Sequence, residues 1–311
     1  MRFRLPVVPT LLAALMLSAA PVAGQRAARS QRSAGAKGAL VFAVTRRPDG
    51  VVEFEPIAVY RRGSFVGSIT GESDNATLAR FAKEYYRAGR RYRLMWGGAE
   101  AGALVVKASQ MKAECSRASA TADLETTVRL GGNLMALATD SPTLGRAQAS
   151  RRPPTDAERT LVVERAREIF KQKGVPDAAL GELKTINLTA TDADGDGAAE
   201  LVGTFSVKRR ADAVDVLFLL AEASGGGLKV GVSHHEQLEA EQMPDPDALD
   251  SVGQSAFLTE MLIDHLDVDG DGKGEVFTIS YSFEGTHYSI YKKGAKGWTR
   301  VQEFYNYRCA Y

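Results

Sequence analysis

One pattern occurs twice in this chain and limits its fold more than any other feature. Asp192-Ala-Asp194-Gly-Asp196-Gly197-Ala198-Ala-Glu200 is followed by Leu201, and about 75 residues later Asp267-Val-Asp269-Gly-Asp271-Gly272-Lys273-Gly-Glu275 is followed by Val276. Both read D-x-D-G-D-G-x-x-E-apolar. Carboxylates at every second residue, closed by a glycine, let a tight loop turn its oxygens toward one point, and glycine supplies the positive φ that such a curl needs. Acids this close repel one another unless a cation neutralises them. An all-oxygen donor set favours Ca²⁺ over zinc or copper, so about two Ca²⁺ sites are expected. Asp192, Asp194, Asp196 and Glu200 would give side-chain oxygens to the first and Ala198 its carbonyl. Asp267, Asp269, Asp271 and Glu275 would do so in the second, with the carbonyl of Lys273.

These loops are not EF-hands. The twelfth position, where an EF-hand places its bidentate glutamate, is Gly203 in one and Thr278 in the other. The acid at the ninth position instead resembles the calcium loops of FG-GAP repeats, the blade units of integrin α-chain β-propellers. The resemblance covers residues 186–207 and 262–283 and departs from the family in having Glu where Asp is commoner. It implies a blade-like β unit around each loop. Two such units cannot close a seven-bladed ring, so two packed sheets, or a blade-like pair docked on the N-terminal half, are expected.

The flanking sequence agrees. Ile186 to Ala190, Leu201 to Val207, Val214 to Leu220 and Leu228 to Val232 read as extended, with the turn Gly225-Gly-Gly227 before the last. Leu262 to Leu266, Val276 to Phe283, Tyr288 to Tyr291 and Trp298 to Phe304 repeat the series. Each set predicts a four-stranded meander with the acidic loop between its first two strands.

Upstream, residues 39–140 read as a β-rich domain with one helix. Val59-Tyr60 and Phe65-Val66 flank an Arg62-Gly63 turn, and Tyr92, Leu94 and Trp96 precede a Gly97-Gly98 break before Leu104-Val-Val106, so two hairpins are expected. Leu78, Phe81, Ala82 and Tyr85 have helical spacing, and Leu134 to Ala138 reads as a closing strand. Pro142, Gly145, Arg151, Arg152, Pro153 and Pro154 make 141–154 a linker. Thr155-Asp-Ala-Glu158 has the spacing of a capping box and opens a helix that Gly174 and Pro176 end, within a C-terminal domain over 155–311. The fold class is therefore α+β, predominantly β.

The first residues read as an export signal. Arg2 and Arg4 precede an apolar run from Leu11 to Leu17, and Val22-Ala23-Gly24 offers a cleavage site, so 1–24 is expected to be removed and 25–38 to form a flexible leader. The address is then secreted or periplasmic, without integral membrane association after cleavage. In an oxidising compartment the two cysteines, Cys115 and Cys309, are expected to pair and to tie the C-terminal tail to the N-terminal half.

A formal net charge of +1 gives no excess to draw the chain onto nucleic acid. No G-x-S-x-G elbow, phosphate-binding G-x-x-x-x-G-K or H-E-x-x-H is present. In the His234-His235-Glu236 run, neighbouring strand residues face opposite sides and cannot share one ion. The aromatic residues from Tyr281 to Tyr307 are mostly core or cross-strand candidates, and a minority exposed near a calcium loop could make a sugar-stacking or protein-contact surface. The expectation is an exported calcium-binding interaction or scaffold module without catalytic residues. The alternative is a secreted calcium-stabilised hydrolase with a carboxylate active site that no spacing reveals.

Overall fold

The computed structural model describes residues 38–130, 135–224, 227–243, 249–250, 252 and 257–309. The expected signal segment, the leader up to residue 37, Leu134 and the first two glycines of the Gly225–Gly227 turn lie outside the described residues. The protein is mostly β with antiparallel sheets, as the alternating apolar runs require. Among the described residues no helix is long and apolar enough to cross a membrane.

Strands β1 (Ala39–Arg46), β2 (Val52–Arg61), β3 (Ser64–Gly67), β4 (Arg91–Trp96), β5 (Ala99–Ser109), β6 (Ala120–Thr126) and β7 (Met135–Thr139) form one sheet in the order β1-β7-β4-β5-β6-β2-β3. Because β1 also pairs with β2, the sheet closes on itself as a small barrel, with β3 appended outside the ring. Closure removes most of the free edges that an open sheet would present. Alternation along β1 shows the two-sidedness. Leu40, Phe42 and Val44 point into the barrel core with Phe54, Tyr92, Leu94 and Leu104, while Val41 and Ala43 point outward. Both expected hairpins are present, at Arg62-Gly63 between β2 and β3 and at Gly97-Gly98 between β4 and β5, with positive φ at all four turn residues. Helix α1 (Asn75–Tyr85) is capped by Asp74, whose side chain accepts the backbone N–H groups of Ala76 and Thr77, and it packs Phe81, Ala82 and Tyr85 onto the barrel core.

The C-terminal half begins with α2 (Asp156–Gln172), which carries the Thr155–Glu158 capping box that its sequence announces. After the short α3 (Asp177–Leu180) come two meanders, β8 (Lys184–Thr191), β9 (Glu200–Arg210), β10 (Ala213–Ser224) and β11 (Gly227–Glu239), then β12 (Met261–Leu266), β13 (Glu275–Tyr281), β14 (Gly285–Gly294) and β15 (Gly297–Tyr307). Each is a four-stranded antiparallel sheet with its strands in sequence order, and each acidic loop joins the first two strands.

The layers follow from which residues are apolar on each face. On β9 and β10, Leu201, Phe205, Leu217 and Leu219 face Val162, Ile169 and Phe170 of α2. Val202, Phe218 and Leu220 face the other way, against Leu262, Val276, Tyr291 and Trp298 of the second meander. The opposite face of that meander, Ile263, Phe277, Ile279, Tyr288 and Ile290, covers the outward barrel residues Val41, Ala43, Ile57, Met95 and Leu137. The order is barrel, sheet β12–β15, sheet β8–β11, helix. A disulfide between Cys115 and Cys309 fastens the end of β15 back to the barrel. Beside it Arg308 and Asn306 reach the buried Glu55, which also accepts the hydroxyl of Tyr288.

Candidate metal centre

The two acidic loops fold by the same set of hydrogen bonds. The first aspartate uses both oxygens on the backbone: Asp192 accepts the N–H of Gly195 and of Gly197 at 2.7 and 3.1 Å, and Asp267 those of Gly270 and Gly272 at 2.8 and 3.0 Å. Asp194 and Asp269 each accept the N–H two residues on, at 3.3 and 3.2 Å. Asp196 and Asp271 do the same with Ala198 and Lys273, at 2.8 and 2.9 Å. The ninth-position glutamates reach back to the second residue of the loop, Glu200 to the Ala193 N–H and Glu275 to that of Val268, at 2.7 and 3.1 Å. Gly195 and Gly270 both have φ of 76°, and Gly197 and Gly272 have 89° and 88°. A side chain with a β-carbon is strained at such angles, which accounts for the glycines in the motif.

This wiring turns carboxylates inward. One oxygen from each of Asp192, Asp194 and Glu200 lies within 4.8 Å of the others, and the same holds for Asp267, Asp269 and Asp271. Asp196 is more exposed and stands outside the first group, and Glu275 approaches the second through a lysine described below. Ala198 and Lys273 follow their aspartates at the seventh position of each loop, bound through their N–H groups. Both ninth-position glutamates are buried, and burial raises each to about 7, against the Ala193 N–H that lowers Glu200 and the Lys292 ammonium and Val268 N–H that lower Glu275. A buried carboxylate needs a cation or a proton. Asp192, Asp194 and Glu200 in one loop and Asp267, Asp269 and Asp271 in the other could therefore hold a metal ion.

Positive side chains that the sequence pattern did not single out complete the region. Lys292 Nζ contacts Asp269 Oδ2 and lies 3.0 Å from Asp271 Oδ2 and 2.9 Å from Glu275 Oε1. Lys293, on the other face of β14, lies 3.0 Å from Asp194 Oδ2 and also pairs with Glu222 of β10. Hydrogen bonding to these acids raises both lysines above the ordinary ammonium range, against desolvation. Arg146 spans the two loops. Its guanidinium donates to the carbonyls of Asp192 and Ala193 at 2.5 Å each and to that of Gly272 at 3.0 Å. Arg146 lies in the 141–154 segment, which is packed against the barrel turn: Arg146 and Ser150 donate their N–H groups to Gly98 and Gly97.

Beneath the loops, Asp264 and His265 of β12 are both fully buried. Asp264 accepts the Gly97 N–H at 2.8 Å and faces Arg151 at 3.9 Å; burial raises it to about 6. His265 shares a hydrogen bond with Ser150 at 3.0 Å, and burial lowers it to about 3, so the ring is neutral. A β-carbon on Gly274 would lie 2.7 Å from His265 Nδ1, so the ring forms the floor of the second loop. The other histidines serve separate faces. His234 pairs with Glu260 and His235 with the buried Asp215, on opposite sides of β11 as strand alternation requires, His234 exposed and His235 largely covered.

No protein-family model, characterised protein or solved structure was found to match this chain.

Proposed function

We propose that this is an exported Ca²⁺-binding protein that serves as an interaction or scaffold module, in which both cations are structural. The observation that carries the reading is the shared wiring of the loops. Ten side-chain-to-backbone hydrogen bonds, five in each loop, orient the acids in the same way. A pair of chance Asp/Gly turns has no reason to repeat that set or to bury its final glutamate. The loops join β8 to β9 and β12 to β13, so a cation in each would hold the first two strands of its sheet together. The Cys115–Cys309 bond fits an oxidising compartment. Val301 and Tyr305, exposed on the outer strand β15, offer the contact surface for a protein or glycan ligand.

The test is calorimetric titration of Ca²⁺ into the chelator-treated full chain, with melting followed in parallel. Two binding sites and a higher melting temperature with Ca²⁺ are expected, since a ligand held by the folded state alone stabilises it by about 4 kcal/mol at a thousandfold excess over Kd. Asp192→Asn and Asp267→Asn should each remove one site. A flat titration with an unchanged melting curve refutes the reading.

A further inference from the structure

We infer that Lys292 and Lys293 are internal counter-cations of the two loops, so that a metal ion enters each loop by displacing its lysine. This rests on the metal-binding reading above and concerns how that binding is controlled. The oxygens decide it. In the second loop one oxygen each of Asp269, Asp271 and Glu275 is taken by a backbone N–H, and the remaining three, Asp269 Oδ2, Asp271 Oδ2 and Glu275 Oε1, meet on Lys292 Nζ. These are the oxygens that a hard cation would need. An ammonium and a divalent ion repel each other at that range, and neither can share the space.

The first loop is guarded less. Lys293 takes one loop oxygen, Asp194 Oδ2, and is anchored outside the loop by Glu222 and by the ring of Trp298, whose centroid is 5.5 Å from Nζ. The two lysines are neighbours on β14 and point to opposite faces, one toward each loop. Loading therefore proceeds in order, the first loop at lower Ca²⁺ and the second at higher. It also frees two ammonium groups at the end of the β14–β15 hairpin, where an anionic partner would meet them only in the loaded protein.

The experiment is titration of Ca²⁺ into the full chain carrying Lys292→Met or Lys293→Met, each alone and combined with Asp192→Asn or Asp267→Asn to isolate one loop. Lys292→Met should tighten the second loop about tenfold, the scale of one charge-assisted contact; Lys293→Met should tighten the first by a smaller factor. Unchanged or weaker affinity in the lysine variants, with binding intact in the parent chain, overturns the inference and leaves the metal reading standing. Binding that emerges only in the lysine variants supports the inference. Its absence from every chain removes both. Acetylation of the parent chain, read residue by residue by mass spectrometry, needs no variant: labelling of Lys292 and Lys293 should rise with Ca²⁺ relative to the exposed Lys107, and no rise refutes displacement.

Discussion

Gly274 donates its backbone N–H to the carbonyl of Ala193 at 2.7 Å, so a residue of the second acidic loop is hydrogen-bonded to a residue of the first. With Arg146 gripping carbonyls on both sides, the loops are a single piece of structure made from two sheets. Ordering one of them therefore orders the other. We expect the second loop of Asp192→Asn to bind Ca²⁺ severalfold more weakly than in the parent chain, within the usual range of coupling between sites. Arg146→Met should shrink that difference. Equal affinities in the parent and in Asp192→Asn would show that the loops act independently.

The response to pH has a defined sign. Glu200 and Glu275 sit near 7 when folded, above the 4.5 of the free side chain, so the folded state holds their protons more tightly. Their contribution to metal-free stability is full below about pH 4.5 and is lost as pH rises through 7, at no more than roughly 1.4 kcal/mol per unit for each group. Ca²⁺ needs them ionised, so the rise in melting temperature caused by Ca²⁺ should grow from pH 5.5 to 8. A Ca²⁺ effect that is flat across this window would remove both glutamates from the site.

The disulfide closes a span of 194 residues. The chain-entropy description gives such a closure about 5 kcal/mol, and strain reduces what is realised. Replacing both cysteines by serine should lower stability to urea by about 2–5 kcal/mol. Arg308 lies next to Cys309 and pairs with the buried Glu55, so Arg308→Met strands a carboxylate and should cost about 3–5 kcal/mol even with the disulfide intact.

Gly98 should tolerate no side chain. Its φ is +77°, and a β-carbon there would lie 2.4 Å from His265 Cε1. Gly98→Ala combines backbone strain of about 1–2 kcal/mol with displacement of a buried ring between barrel and β12. Chemical denaturation should show a loss above 2 kcal/mol, and a neutral result would mean that the turn is free to shift.

Much of this was legible in the sequence because the information is local. The D-x-D-G-D-G pattern, the Thr155–Glu158 box, the Arg62-Gly63 and Gly97-Gly98 turns and the alternation of the later strands all act within a few residues. The Cys115–Cys309 pair followed from there being two cysteines. Barrel closure was not legible. It depends on β2 pairing with β6 as well as with its neighbour β1, and β6 follows only after β3, α1, β4 and β5, so no local pattern announces the contact. Nor were Lys292, Lys293 and Arg146. A long cation covers its distance through the fold, and no spacing ties Arg146 to Gly272, which is 126 residues away.

The sheet β12–β15 has apolar side chains on both of its faces, one set against the barrel and the other against β8–β11. Its strands β12, β13 and β14 have almost no side left for water. Severing the chain in the Pro- and Arg-rich stretch after β7, where its composition invites a cut, would bare a large greasy surface on each fragment. The halves should then coprecipitate rather than dissolve as separate modules, and the intact chain should melt in one step.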